Sequence, residues 1–240
     1  MPYTAPRGIA QVLGELIVII AGVLIALGVD NWNDARQDRA LEAQYLSALE
    51  ADLRSDSVAY QRTFLRALVR KDSALTYIAP VVRGAPVAGD TLAFLDAVAL
   101  GGILGTSSPL ILARRATYDE LLASGNLSLL RSSELRTTLV DHYLNLDIAS
   151  QRLGARIANY PLFVHQYYPA EMRDTKTAGD IRAFGVRRAL TAFRSAEFEA
   201  LMDQEINFMH FATIQMERGA EATNEMLRTV MEAQSGDGGR

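Results

Sequence analysis

Three histidines are the side chains of this chain best suited to acid–base or metal chemistry. His142, His165 and His210 stand far apart, and none belongs to an H-E-x-x-H pattern or a comparable ligand spacing. The sequence has no G-x-S-x-G motif, no P-loop and no glycine-rich dinucleotide motif. It also has no cysteine, which excludes disulfides, thiolate zinc sites, iron–sulfur clusters and thioether-bound haem. We therefore predict a protein that is not an enzyme and has no cofactor or metal site.

A second group of polar residues lies between Tyr118 and Asn126. Tyr118 and the sequence Ser124-Gly125-Asn126 place a phenol, a hydroxyl and an amide close together, as an active site would. Ser-Gly-Asn is also an ordinary helix stop, with glycine or asparagine in the left-handed conformation. We favour this structural interpretation.

Aromatic side chains are concentrated just before Pro169. The cluster comprises Tyr160, Phe163, Tyr167 and Tyr168, with His165 among them. It could form the floor of a ligand pocket, meet a partner protein, or pack within the domain. We favour packing and keep a partner surface as the alternative.

The element that organises the rest of the chain begins with an apolar run from Ile9 to Trp32, IAQVLGELIVIIAGVLIALGVDNW. A helix rises about 1.5 Å per residue, so about 20 apolar residues cross the ~30 Å hydrocarbon layer of a bilayer. We predict one transmembrane helix over residues 9–29, in contact with the lipid bilayer. Trp32 follows it, where an indole prefers the boundary between membrane and water.

One face of this helix carries small residues that predict a lateral interface. Four of them and one valine recur at every fourth position, at Ala10, Gly14, Val18, Gly22 and Ala26. Small side chains allow a second helix to approach closely, which predicts contacts with other membrane-protein subunits. Gly and Ala are also common in any membrane helix, so lipid contact alone is the alternative.

Glu15 is the ionisable residue within the apolar run. It lies near the start of the helix, where it could reach the headgroups and benefit from the positive end of the helix dipole. Alternatively, it contacts a partner helix, and we include it in the predicted helix–helix interface.

The orientation in the membrane is predicted from the shape of the segment, because the basic residues flank it evenly. Arg7 precedes the span, and Arg36 and Arg39 follow it. A short head before an apolar span resembles an uncleaved signal anchor. We expect residues 1–8 in the cytoplasm, the C-terminal domain in the periplasm, and the span in a bacterial inner membrane.

Beyond the span, the sequence predicts an all-α fold, with the membrane helix continuing into a helical stalk over residues 30–80. Residues 30–79 contain neither Gly nor Pro, and Pro80 is expected to end the stalk. Apolar residues recur at spacings of three, four or seven, as on one face of a helix. They are Leu46, Leu49, Leu53, Tyr60, Phe64, Leu68, Leu75 and Ile78.

Residues 81–234 are predicted to form an antiparallel helical bundle that packs on the stalk, followed by a flexible tail over residues 235–240. Capping residues mark several helix starts, at Asp90, at Ser132 or Ser133, and at Ser195. Further helices are expected up to Gly105, over residues 110–123 after Ser108-Pro109, and up to Pro161. Gly101-Gly102 predicts close helix packing.

The opening GELIVIIAGVLIALGVDNWNDARQDRALEAQYLSALEADLRSD and the later TYDELLASGNLSLLRSSELRTTLVDHY resemble a family of uncharacterised bacterial single-pass membrane proteins. The shared features are E-L-I-x-I-x-x-G-x-x-I-A-L, N-W-N and T-Y-x-E-L-x-x-S-G-N-L. They cover roughly the N-terminal 60% of the chain. The resemblance implies an N-terminal anchor with a helical domain. It implies no activity, since the family has none assigned.

Two functions fit these features. The first is a non-enzymatic accessory subunit that braces a larger membrane complex, for example a bioenergetic assembly such as a photosynthetic reaction-centre or antenna complex. The span has no histidine to bind chlorophyll or haem, so neighbouring subunits would carry the cofactors. The second is a membrane-anchored sensor or ligand-binding domain, which would need a partner to signal across the membrane. The net charge of −4, mixed along the chain, gives no basic stripe for nucleic acid.

Overall fold

The fold is taken from a computed structural model that describes residues 7–103, 113–155, 158–173 and 179–237, with side chains from Leu16 onward in the first range. Helices are the only regular secondary structure in these ranges, so the predicted all-α class is confirmed. They are α1 (Arg7–Ala59), a π-helical turn (Tyr60–Leu65), α2 (Arg66–Val82), α3 (Thr91–Gly101), α4 (Ala116–Ala123), a 3₁₀ turn (Asn126–Leu129), α5 (Ser133–Gly154), α6 (Asn159–Tyr167), α7 (Ala170–Arg173), α8 (Gly179–Ala192) and α9 (Ala196–Asp237).

The longest element runs from α1 through the π-helical turn into α2. All eight apolar residues predicted on its face, from Leu46 to Ile78, are buried. Between Asp56 and Leu68 the buried positions are spaced four residues apart three times in succession, through Tyr60 and Phe64. Residues spaced four apart advance by more than one 3.6-residue turn, so a run of such spacings drifts around a regular α-helix. A wider, locally unwound turn keeps these positions on one buried face. This spacing accounts for the π-helical turn at Tyr60–Leu65.

Helix α9 lies alongside this long element. Ser57 donates a hydrogen bond of 2.7 Å to Asn224, and Arg83 donates one of 2.8 Å to Asp203. The contacting residue numbers thus fall along α9 as they rise along α1 and α2. The other side of α9 packs against α5 and α6, while α3 packs on α2. The predicted stalk therefore contributes directly to the core from Glu42 onward, and only residues 30–40 are exposed throughout.

The predicted caps are confirmed. Asp90 accepts a hydrogen bond of 2.9 Å from Leu92 N, Ser132 accepts one of 3.1 Å from Leu135 N, and Ser195 accepts one of 3.2 Å from Phe198 N. Each satisfies a backbone amide that the first helical turn leaves without a partner.

Several predicted helix boundaries differ from those of the structure, by two residues at Pro80 and by more than a turn in the other cases. Pro80 lies inside α2, which continues to Val82 and ends before Gly84 at φ +103°, since a left-handed residue stops the helix. Helix α5 ends at Gly154 rather than at Pro161, which instead lies in the first turn of α6, where proline is tolerated. The third helix begins only at Ala116.

The chain end also differs from the prediction. Helix α9 extends to Asp237, so the first three residues of the predicted tail are helical. Residues 1–6, 104–112, 156–157, 174–178 and 238–240 lie outside the described part of the chain. The predicted helix end at Gly105 and the predicted start at Ser108-Pro109 fall there.

Candidate functional site

The most exposed apolar surface of the chain lies on the first part of α1. By length and composition this helix can cross a membrane, with a mean hydropathy of 1.9 over its most apolar 18 residues. None of that window is buried in the protein, whereas a core helix of comparable composition would be covered. Its exposed large apolar side chains are Leu16, Ile17, Val18, Ile19, Ile20, Val23, Leu24, Ile25, Leu27 and Val29.

The predicted small-residue face is open wherever its side chains are described. Val18 is 71% exposed, Ala26 is exposed, and a Cβ atom on Gly22 would meet nothing within 4 Å. The side chains of Ala10, Gly14 and Glu15 lie outside the described part of the structure. No other described residue of the chain covers this face, so it is accessible to lipid or to a second helix.

Residues 31–40 form a helical neck, exposed on all sides, between the apolar surface and the folded core. At about 1.5 Å per residue the neck is about 15 Å long. Trp32 is 59% exposed, and the Arg36 guanidinium lies 5.8 Å from the centre of its ring, a cation–π distance. Trp32, Arg36 and Arg39 share one helix face, opposite Asp34 and Asp38, because successive residues are rotated by about 100°.

The segment from Thr117 to Asn126 fastens α4 to α1. Tyr45 donates a hydrogen bond of 3.1 Å to Glu120 and accepts one of 2.9 Å from Asn126. Thr117 donates one of 2.7 Å to Asp52. Gly125 has φ +74°, so the predicted helix stop is confirmed. The polar groups of this segment are thus engaged in holding helices together.

The buried carboxylate of Asp56 binds the backbone of the segment that leads into α4. Both of its oxygens accept from the Arg114 backbone amide, at 3.1 and 2.9 Å. Burial raises the pKa of Asp56 to about 6, and the neighbouring Asp52 adds to the rise. Tyr143 donates a hydrogen bond of 3.1 Å to the Arg114 carbonyl. The adjacent Arg115 pairs with Asp147 on α5.

The aromatic cluster lies inside the protein rather than on a partner surface. Tyr160, Phe163 and Tyr168 are buried, and only Tyr167 is half-buried. Tyr160 donates a hydrogen bond of 2.8 Å to the Val98 carbonyl, and Tyr168 donates one of 2.9 Å to an Asp96 carboxylate oxygen. The cluster closes the core between α3, α6 and α9, which accounts for its composition.

A buried ion pair joins the long element to α9. Lys71 and Glu205 are fully buried and bonded to each other, and Lys71 also donates a hydrogen bond of 2.8 Å to the Ile103 carbonyl. This pair was not predicted from the sequence. Its signal is positional, since Lys71 lies three residues after Leu68 and four before Leu75 on the apolar face. A charge at such a position needs a buried partner.

A cleft of about 310 Å³ opens between α5 and α9. Its polar lining residues are His142, Asn145, Arg152, Gln215 and Arg218. His142 is 7% exposed, its Nε2 atom has no hydrogen-bond partner among the described residues, and burial lowers its pKa to about 4. It is therefore neutral at pH 7. His165 and His210 are exposed, on α6 and α9.

Two further buried hydroxyls lie behind the wall of this cleft, on Tyr60 of the π-helical turn and Thr223 of α9. Burial raises the pKa of Tyr60 to about 12, and a weak hydrogen bond with Thr223 opposes the rise. Among the described residues, the two hydroxyls have no other partner than each other. Among the described residues, no group of three histidine, aspartate or glutamate side chains is arranged to hold a metal ion.

Comparison with known proteins finds no matching family model, no matching curated protein and no matching solved structure. The resemblance to a family of single-pass membrane proteins therefore stays a prediction. The exposed apolar helix, the neck and the cleft are the features from which a function can be argued.

Proposed function

We propose that this protein is a membrane-anchored, non-enzymatic accessory subunit that braces a larger membrane assembly. The observation that carries the proposal is the apolar part of α1, which is exposed on every side and continuous with the helix at the centre of the core. An apolar surface of this extent needs lipid or protein to cover it. The span and the domain would then move as one body.

The bundle is suited to transmit load from the membrane to a partner. We infer an antiparallel arrangement in which α9 runs back along α1 and α2 towards the bilayer. The buried faces of these helices resist sliding, because closely packed side chains interdigitate. This stiffness suits a subunit that holds other subunits in place.

The neck sets the distance between the domain and the lipid. A headgroup layer is about 5–8 Å thick on each side of the hydrocarbon core. A neck of about 15 Å therefore holds the core about 7–10 Å above the headgroups. Other subunits could enter this gap and contact the basic face of Arg36 and Arg39 or the acidic face of Asp34 and Asp38.

The predicted location follows from the anchor. We retain a bacterial inner membrane, with the N-terminus in the cytoplasm and the domain in the periplasm. The choice of a photosynthetic or other bioenergetic complex stays a prediction, which identification of the partners decides.

The test is extraction of the full chain from its native membrane in mild detergent, followed by identification of co-purifying proteins. We expect discrete stoichiometric partners. Gly22→Leu should reduce their yield severalfold, because the added side chain prevents close approach of a second helix. Gly28→Leu is the matched control, since Gly28 is equally open and lies on another face of the helix. Equal partner yields from both variants would contradict a lateral interface.

The cleft between α5 and α9 favours a second candidate function, a membrane-anchored ligand-binding domain. Its volume of about 310 Å³ is at the lower end of small-molecule sites, which span about 300–1,000 Å³. The two candidates are compatible, because the cleft and the membrane anchor lie on different parts of the chain. Co-purification of partner proteins tests the accessory subunit, and ligand binding tests the ligand-binding domain.

A further inference from the structure

We propose that the cleft between α5 and α9 binds a small anion carrying carboxylate or phosphate groups. The inference deepens the second candidate function and rests on it alone. Nothing in it depends on whether the chain braces a membrane assembly. It rests on the chemistry of the lining and on the buried polar groups behind it.

The polar side chains that line the cleft can all donate hydrogen bonds. Two are the guanidinium groups of Arg152 and Arg218, and the others are two amides and an imidazole, from Asn145, Gln215 and His142. No carboxylate belongs to this lining. Neither arginine forms an ion pair with a described residue, and both side chains are exposed at the rim. Arginine binds carboxylate and phosphate through paired donors, which matches an anionic ligand.

The remainder of the lining is apolar and shaped by small residues. Leu146, Ile148 and Ala149 come from α5, while Gly219 and Ala222 come from α9. An apolar wall with a few convergent polar groups is the usual composition of a small-molecule site. The size of the cleft suits a compact anion rather than a long chain.

Three buried polar side-chain atoms lie in or behind the walls of the cleft, and two of them, the Tyr60 and Thr223 hydroxyls, are close enough to partner each other. Tyr60 Oη lies 2.7 Å from where a Cβ atom of Gly219 would be, and Thr223 follows Gly219 by one helical turn. The third atom, His142 Nε2, belongs to the opposite wall of the same cleft. Among the described residues only one other buried side-chain atom lacks a partner, Arg182 Nε on α8. Buried polar groups nearly always have partners, so His142 Nε2, on a residue that lines the cleft, is the group that a bound ligand or a bridging water would satisfy.

The backbone beside the cleft is also irregular. Tyr60 is the first residue of the π-helical turn, and its ring packs where Gly219 has no side chain. Short π-helical turns occur frequently at functional sites.

Titration calorimetry of the full chain in a non-ionic detergent tests the proposal. The probes are succinate and inorganic phosphate, with neutral succinamide as the control for shape without charge. We expect saturable binding of at least one anion. Binding of succinate alone would identify a carboxylate site, and binding of phosphate alone a phosphate site. Succinamide should not bind.

Variants locate the binding. Arg218→Gln should weaken it by about tenfold, because one charge-assisted contact is lost. Arg228→Gln is the matched control on the same helix, outside the lining, and should bind as the wild type does. His142→Leu should weaken anion binding while raising the melting temperature of the ligand-free protein, since it removes a buried group without a partner.

The contradicting outcomes are equally definite. Failure of both anions to saturate would leave bridging water as the occupant and would overturn the proposal. Equal weakening by Arg218→Gln and Arg228→Gln, or equal binding of succinamide, would also overturn it. None of these results depends on co-purifying partners, so the proposal of an accessory subunit stands or falls separately.

Discussion

Asp56→Asn and His142→Leu are expected to tilt the pH dependence of stability in opposite directions. Burial raises the pKa of Asp56 from 3.8 to about 6 and lowers the pKa of His142 from 6.5 to about 4. Between about pH 4 and 6 the folded chain keeps a proton on Asp56 that the unfolded chain releases. In the same range the unfolded chain takes up a proton on His142 that the folded chain excludes. Acidification therefore stabilises the fold through Asp56 and destabilises it through His142.

The two effects are similar in size. Folded and unfolded pKa values differ by about 2.2 for Asp56 and about 2.5 for His142. At about 1.4 kcal/mol per pKa unit, each difference corresponds to about 3 kcal/mol. Lowering the pH from about 7 to about 4.5 realises about 2 kcal/mol of each. In the wild type the two contributions largely cancel.

The assay is urea unfolding of the full chain in a non-ionic detergent, followed by circular dichroism at pH 7 and pH 4.5. When the pH is lowered, the free energy of unfolding of Asp56→Asn should fall by about 2 kcal/mol relative to that of the wild type. The free energy of unfolding of His142→Leu should rise by about 2 kcal/mol relative to that of the wild type over the same pH change. Asp38→Asn, on the exposed neck, is the control and should follow the wild type.

The comparison rests on the change in the free energy of unfolding between the two pH values, because that change does not depend on how each substitution alters stability at pH 7. If Asp56→Asn, His142→Leu and the wild type all respond equally to acidification, the burial argument is wrong for both groups. If only one variant departs from the wild type, it is wrong for the other group.

Two further predictions use the same unfolding assay at pH 7. Lys71→Met should lower the free energy of unfolding by about 3–5 kcal/mol, because it removes the cation that compensates the buried Glu205 carboxylate. Lys71→Met combined with Glu205→Leu should recover most of that loss, and a double variant no more stable than the single one would contradict this. Gly101→Ala should cost about 1–3 kcal/mol, since its Cβ atom would lie 2.7 Å from Tyr160 Oη, whereas Gly154→Ala meets open space and should cost nothing. Equal effects at the two glycines would show that the close approach at Gly101 is not rigid.

Periodicity predicted the parts of the fold in which one helix face is buried continuously. The eight apolar residues from Leu46 to Ile78 were identified because a buried face repeats at the period of the helix. The caps at Asp90, Ser132 and Ser195 were identified because their side chains bond within their own first turn. Both signals are local.

Features that depend on distant contacts were not predictable in the same way. Pro161 opens a helix rather than ending one, because the preceding helix has already stopped at Gly154. Packing of Tyr160 and Tyr168 within the domain was favoured from the sequence, but their hydrogen-bond partners, the Val98 carbonyl and Asp96, are indicated by no local pattern. The π-helical turn does have a local signal, the run of four-residue spacings between its buried residues.

The cleft illustrates the same limit at the candidate site. His142 stands alone in the sequence and matches no ligand motif, and the structure buries it. Its importance comes from Arg152 on its own helix and from Arg218 and Gly219 on α9, more than 70 positions later in the sequence. Only the packing of α5 on α9 brings these groups to one cleft.

Chemical labelling of introduced cysteines tests the membrane anchor most directly, because the chain has no cysteine of its own. Val18→Cys and Ile25→Cys probe the apolar part of α1, and Val69→Cys probes an exposed position on α2. Membranes that contain each variant are treated with a water-soluble maleimide before and after dissolution in detergent.

The anchor predicts that Val18→Cys and Ile25→Cys react only after the membrane is dissolved, whereas Val69→Cys reacts in intact membranes when the reagent reaches its side. For a periplasmic domain, Val69→Cys should also react in cells whose outer membrane alone has been opened. Rapid labelling of Val18→Cys and Ile25→Cys in intact membranes would show that the apolar helix is not in lipid, and would contradict a membrane-anchored subunit.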